Sequence, residues 1–270
     1  MTLTFPPLLF EALLAALLVS VAGGLSGTFV VVRGMGLLAG AIAHAALGGI
    51  GVAHALGRDP LHGALVAALL TAFCIWWLRR HAAEAEDIML SALWSTGMAI
   101  GVIAVASTPG YGVDLADYLF GSLLTVSTAD LWLMAVVDLL LLLLFATHLR
   151  EFAAISFDPE FAELRGLPVA RLELLLLVVL ALTAVLLARV VGLVLVVALL
   201  ALPAAIARRF TDRLLSMAVL ACLIAGLCTT LGIGLSWQFD WPSGASIVIV
   251  AATLYLLGLA LARLRSAPNP

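Results

Sequence analysis

Nine stretches of about 20 apolar residues, each long enough to cross a hydrocarbon layer, leave this 270-residue chain few folds to choose from. They lie near 8–32, 36–57, 60–80, 88–107, 128–148, 169–188, 190–207, 213–236 and 243–264. Inside a bilayer every backbone N–H and C=O must be satisfied within the protein, so such runs become helices or a closed barrel. No segment alternates in the two-residue rhythm of barrel strands, which excludes the second option. The chain is 64% hydrophobic and only 11% charged, with mean hydropathy +1.23, far outside the soluble range. The expected fold is a single all-α polytopic domain, residues 1–270, of eight or nine transmembrane helices. The seventh run is the shortest and contains Pro203, so it reads as a broken or tilted half-span. Residues 111–125 are semi-apolar and too short to cross; they read as a re-entrant or interfacial piece. The first run is long enough to span and lacks a basic leader, so it reads as a membrane helix, not a cleaved signal.

One long polar segment interrupts this pattern. Residues 150–171 hold seven charged residues in 22, against 22 in the other 248. Its helix punctuation falls in order. Asp158 can cap an N-terminus, Pro159 suits the first helical position, and Glu160 and Glu163 complement the positive end of the dipole. Gly166 fits the left-handed position after a helix, and Pro168 prevents continuation. The spacing predicts a helix of about two turns with Phe157, Phe161 and Leu164 forming one apolar stripe. Such a helix suits a groove on a soluble partner, although on these residues alone a plain connector is the simpler reading.

All thirteen basic residues are arginine. With 150–171 taken as cytoplasmic, Arg33, Arg79, Arg80, Arg150, Arg165, Arg171, Arg208, Arg209, Arg213, Arg263 and Arg265 fall inside, and only Arg58 and Arg189 outside. That asymmetry predicts an outer N-terminus and a cytoplasmic C-terminus. The absence of lysine has a second consequence. A phosphate-binding P-loop requires one, so any ATPase that drives this protein must be another chain. Net charge is −3 and argues for no particular ligand; no nucleic-acid partner is expected. Cys74, Cys222 and Cys228 lie in apolar runs, form no CxxC and read as small core residues.

Six stretches carry a family resemblance: RGMGLLAGAIAHAALGGIG at 33–51, EDIMLSALWSTGMAIG at 86–101 and DLADYLFGSLLTVSTADL at 114–131, then FDPEFAELRGLPVARLELLLL at 157–177, VVGLVLVVALLALPAAIARRF at 190–210 and FDWPSGASIVIVAATLYLLGL at 239–259. Singly they are weak; in this order and spacing they resemble the permeases of ABC importers for zinc, manganese and iron. The resemblance implies a bacterial inner-membrane protein acting as a homodimer with two ATPase subunits and an extracytoplasmic metal-binding protein. It also implies that 157–166, including Phe157, Asp158, Glu160, Phe161, Leu164 and Gly166, is the coupling helix that docks on the ATPase. No permanently bound cofactor is expected, only a divalent metal in transit.

His44 is the expected path ligand. It lies at membrane depth, where an ionisable group is costly and is a functional candidate by default. Imidazole is also a common ligand for borderline metals. The family's second-span motif normally pairs this His with an Asp four residues earlier; here that place is Gly40, and Ala46 stands for the usual Ser. Losing a carboxylate weakens a hard ion such as Mn²⁺ more than Zn²⁺, so zinc is the expected cargo, with manganese or iron next. The bland alternative is a buried His bonded to a neighbouring carbonyl. Gly40, Gly48, Gly49 and Gly51, with Ala41 and Ala45, form small-residue faces suited to close helix packing. Asp138, mid-span, is expected to bond a neighbouring helix, and Glu11 and Glu173 to reach water. His54, Asp59 and His62 read as solvated outer-loop residues or an entry funnel, and His81 and His148 as interfacial. An ion-coupled secondary transporter is the competing class, but no inverted repeat or set of coupling carboxylates is visible.

Overall fold

The structure, a computed structural model, describes residues 7–81, 86–107, 121, 123 and 126–266. These form ten helices and no strand: α1 Pro7–Val32, α2 Gly36–Ala55, α3 Pro60–His81, α4 Glu86–Ala106, α5 Thr128–Phe157, α6 Pro159–Leu164, α7 Val169–Val191, α8 Leu193–Ala207, α9 Leu214–Phe239 and α10 Ser243–Ser266. Eight of them (α1 to α5, α7, α9 and α10) are long and apolar enough to cross a membrane. Boundaries fall within three residues of the sequence expectation, with one exception. The fifth apolar run does not end at 148; α5 continues to Phe157. Nothing in 149–157 breaks a helix, and the stop comes only where Pro159 disfavours helical geometry at Asp158. Of the segment 111–125, only Gly121 and Leu123 are described; the rest of that expectation lies outside the described residues.

Interior and periphery separate cleanly. α1, α2, α7 and α8 pack among themselves and against the rest. The α5 residues that face inward are Met134, Asp138, Leu141, Phe145, Phe152 and Ile155, a spacing of three, four and seven that marks one helical stripe. Phe29 of α1 stacks on Phe145 at 4.8 Å and meets Phe152 edge-on at 5.7 Å. Outward, α5 exposes Leu139, Leu140, Leu142 and Leu143, as a lipid-facing surface should.

The shortest apolar helix is a full element. Gly192 alone joins α7 to α8, at φ 84° and ψ 157°, a conformation that only glycine adopts freely. Arg208, just past α8, donates through Nη1 to the Val31 carbonyl at 3.3 Å, so α8 returns the chain to the end of α1. Nine apolar helices therefore run between two ends, one of which gathers Arg33, Arg79, Arg80, Arg208 and Arg209. At the opposite end Leu123, fully buried, donates its amide to Ser243 Oγ at 3.0 Å.

Candidate metal path and docking surface

α2 is threaded between α3 and α4 by glycine contacts. A Cβ on Gly48 would sit 2.7 Å from the Gly97 carbonyl, and one on Gly51 2.6 Å from that of Gly101. On the other side Gly49 and Gly63 meet backbone to backbone. This seam brings His44 under α4. The imidazole is 9% exposed, its centroid 4.1 Å from the ring of Trp94 and tilted 34°. Its Nδ1 is buried with no hydrogen-bond partner among the described residues, so this nitrogen does not make the carbonyl bond of the bland alternative. One turn earlier, a Cβ on Gly40 would lie 2.5 Å from Trp94 Cζ3. The place where the resembled motif carries a carboxylate is filled by an indole from another helix. Among the described residues no three His, Cys, Asp or Glu side chains gather into a metal cluster. One imidazole at this depth suits an ion in passage better than a resident one.

At the end away from the arginine cluster a cleft of about 510 Å³ opens between α2, α3, α5 and α7, lined in part by Asp59, Asp130 and Arg189. Arg189 Nε pairs with Asp130 Oδ1 at 2.6 Å. Asp130 also closes a reciprocal cap with Ser127 that starts α5. A shallower groove of about 600 Å³ between α2, α3 and α4 carries Arg58, Asp59 and His62 at its mouth. His62 Nδ1 lies 3.7 Å from Asp59 Oδ2 with both side chains exposed, and Asp59 Oδ1 accepts the Leu61 amide at 2.8 Å. These residues start α3 in solvent; they form no preorganised trap for a cation.

Asp138 departs from expectation. It is buried, and both carboxylate oxygens lack a hydrogen-bond partner among the described residues. The Cys222 thiol is within its electrostatic reach but directs its own hydrogen to the Val21 carbonyl at 3.7 Å. That thiol is thus turned away from the carboxylate.

The polar interruption folds as its caps dictate. Asp158 Oδ1 accepts the Phe161 amide at 2.9 Å, Pro159 opens α6, and Gly166 turns the chain at φ 80°. α6 has six residues, less than the two turns expected, and Phe157 belongs to the end of α5 instead. Phe161 and Leu164 stand 52% and 87% exposed, with the Arg165 guanidinium 4.9 Å from the Phe161 ring. Glu160 is exposed beside them.

A residue the sequence reading left in water lies close by. Glu173 of α7 binds Arg33 Nη2 through Oε1 at 2.6 Å and Arg80 Nη2 through Oε2 at 3.2 Å. Trp76 Nε1 donates to the Ala170 carbonyl at 2.9 Å, and the Arg80 guanidinium lies 5.1 Å from the same indole. The first turn of α7 is therefore pinned to the ends of α1 and α3. Only the alternation of acidic and basic residues at three helix ends could have signalled this, and sequence alone does not say which ends are neighbours.

The sequence profile of the ABC 3 transport family matches residues 6–262. The chain belongs to that family. It is the family of metal-importer permeases that the six stretches resemble. Among similar proteins, a membrane protein of Synechocystis sp. is 43% identical, over 94% of this chain and 90% of its own. The manganese transport system membrane protein MntC of Halalkalibacterium halodurans is 38% identical over 92% of this chain and 85% of its own. A solved structure, PsaBC from Streptococcus pneumoniae in complex with Fab, superposes with TM-score 0.86 at 32% identity, covering 95% of this chain and 92% of that one. This ABC 3 permease thus shares nearly its whole length with its relatives.

Proposed function

We propose that this permease forms a homodimer in the bacterial inner membrane, works with two ATPase subunits and an extracytoplasmic metal-binding protein, and passes a divalent transition-metal ion at His44. The observation that carries the reading is the buried imidazole with an unpartnered Nδ1 in the middle of α2. A polar atom left unpaired at membrane depth is costly, and a ligand in transit gives it a partner. The arginine asymmetry supports a cytoplasmic arginine-rich end and C-terminus. It also supports a cytoplasmic α6, whose exposed Phe161 and Leu164 suit docking on a partner ATPase. The chain has no lysine for a P-loop, which supports hydrolysis by a partner.

Zinc is the cargo the site chemistry favours. A nitrogen ligand without a nearby carboxylate suits a borderline ion that accepts four ligands, and suits an oxygen-seeking ion less well. Manganese is the second reading, because relatives over 30% identical bear that metal in their names.

The test is uptake into vesicles holding the permease with its ATPase, supplied by the binding protein and offered Zn²⁺, Mn²⁺ or Fe²⁺ separately. His44→Ala is expected to lower uptake about tenfold or more, a change of about 1.4 kcal/mol in the limiting barrier, with ATPase assembly unchanged. Wild-type uptake by that variant would make His44 a core residue and move the path elsewhere.

A further inference from the structure

Gly40 is not merely a lost ligand; it is half of a fitted pair. An ideal Cβ there would lie 2.5 Å from Cζ3, 3.1 Å from Cη2 and 3.2 Å from Cε3 of Trp94, so the six-membered ring of the indole already fills the volume that a side chain at 40 would need. The approach is fixed one turn along α4. At Gly97 a Cβ would stand 2.6 Å from Ala45 Cα and 3.2 Å from the His44 carbonyl, so only glycine lets α4 settle this close. The same settling lays the Trp94 ring against the imidazole, centroid to centroid 4.1 Å. His44 is nine-tenths buried beneath it with Nδ1 unpartnered.

An indole offers a metal nothing on its benzo edge: its single polar atom is an N–H donor without a usable lone pair. It also excludes water from the space it fills. Ions differ in what that exclusion costs them. Zinc is content with four ligands and accepts nitrogen readily, whereas Mn²⁺ favours about six ligands, mostly oxygen. A notch open beside His44 would admit the waters, or the carboxylate, that complete a six-coordinate shell.

We propose that Trp94 is a specificity-determining residue of this permease: by sealing the notch at Gly40 it denies the ion at His44 extra oxygen ligands and so favours zinc over manganese. This rests on the reading of His44 as the path ligand. Trp94 and Gly40 act as one device. A carboxylate at 40 has no room while the indole is present, and removing the indole alone opens the notch to water.

The experiment measures Zn²⁺ and Mn²⁺ uptake by the same vesicles holding permease and ATPase, for five variants. Trp94→Ala is expected to raise the ratio of Mn²⁺ to Zn²⁺ uptake about fivefold, and Trp94→Phe, which leaves a smaller ring, about twofold. Adding Gly40→Asp to Trp94→Ala should raise the ratio about tenfold or more, because an oxygen ligand then sits one turn from His44. Gly40→Asp alone should depress uptake of both ions, since its side chain meets the ring. If the ratio in Trp94→Ala and in the double variant stays within about twofold of wild type while zinc still enters, Trp94 sets no specificity. Should Trp94→Ala fail to assemble with its ATPase, Trp94→Phe decides alone, and an unchanged ratio there overturns the proposal. His44→Ala is the fifth variant: wild-type uptake by it removes the underlying path, whereas loss of uptake with an unchanged Trp94 ratio removes only the role of Trp94.

Discussion

The seam between α2 and α4 and the arginine-rich end of the bundle hold helices together by opposite means. At the seam, glycines set backbone against backbone, and a polar side chain, His44, has a buried nitrogen without a hydrogen-bond partner among the described residues. At the arginine-rich end, Glu173 spans two guanidiniums and Asp158 caps a helix with a directed hydrogen bond. Contacts made by shape tolerate almost no added volume, while contacts made by charge can loosen and re-form as helices shift. On the function proposed above, the difference divides the labour: selection at the stiff seam, coupling at the end that can rearrange.

The largest expected effect breaks the coupling end without touching the seam. Replacing both Phe161 and Leu164 with Asp should abolish ATP-driven uptake while the permease still folds, because both side chains are exposed and the Asp158 cap remains. Normal co-purification with the ATPase and normal uptake would make α6 a simple connector. Next, Gly97→Leu should destabilise the permease by roughly 3 kcal/mol, because the nearest atoms are Ala45 backbone and cannot yield. Thermal unfolding in detergent reads this; an unchanged midpoint would mean that the helices do not approach as closely as described. The smallest effect sharpens the contrast. Glu173→Gln should cost on the order of 1 kcal/mol, since the side chains are partly solvated and the amide still accepts one hydrogen bond. The loss should shrink in high salt if charge carries it. A loss that ignores salt would reassign Glu173 to shape.

The same division explains what could be read from the sequence. Hydrocarbon forces every long apolar run into a helix, so eight of the nine apolar helices could be placed to within a few residues from composition alone. The cap at Asp158 was legible because capping is local: the acceptor and the Phe161 amide are three residues apart. α5 was read nine residues short because His148, Arg150 and Glu151 mark where apolarity ends, and a helix need not end there. His44 was legible as an ionisable group at depth. Its partner was not, for Trp94 lies 50 residues away and nothing local distinguishes it from other tryptophans facing lipid. Glu173 was missed for the same reason, its two arginines lying 140 and 93 residues away in sequence. Asp138 shows the converse error: a hydrogen bond was expected from chemistry, and among the described residues neither carboxylate oxygen has one.

The length of α5 carries a consequence of its own. Its 30 residues make a rod of about 45 Å, against a hydrocarbon thickness of about 30 Å. Even a tilt of about 20° shortens its height by only a few ångströms. Because Asp158 both ends α5 and caps α6, α6 has no slack link to the rod that bears it. α6 therefore stands on a stalk whose clearance above the lipid depends on how thick the bilayer is. A membrane of longer acyl chains covers more of that stalk and carries α6 toward the headgroups, so the coupling role proposed above makes lipid thickness a lever on how firmly an ATPase can grip.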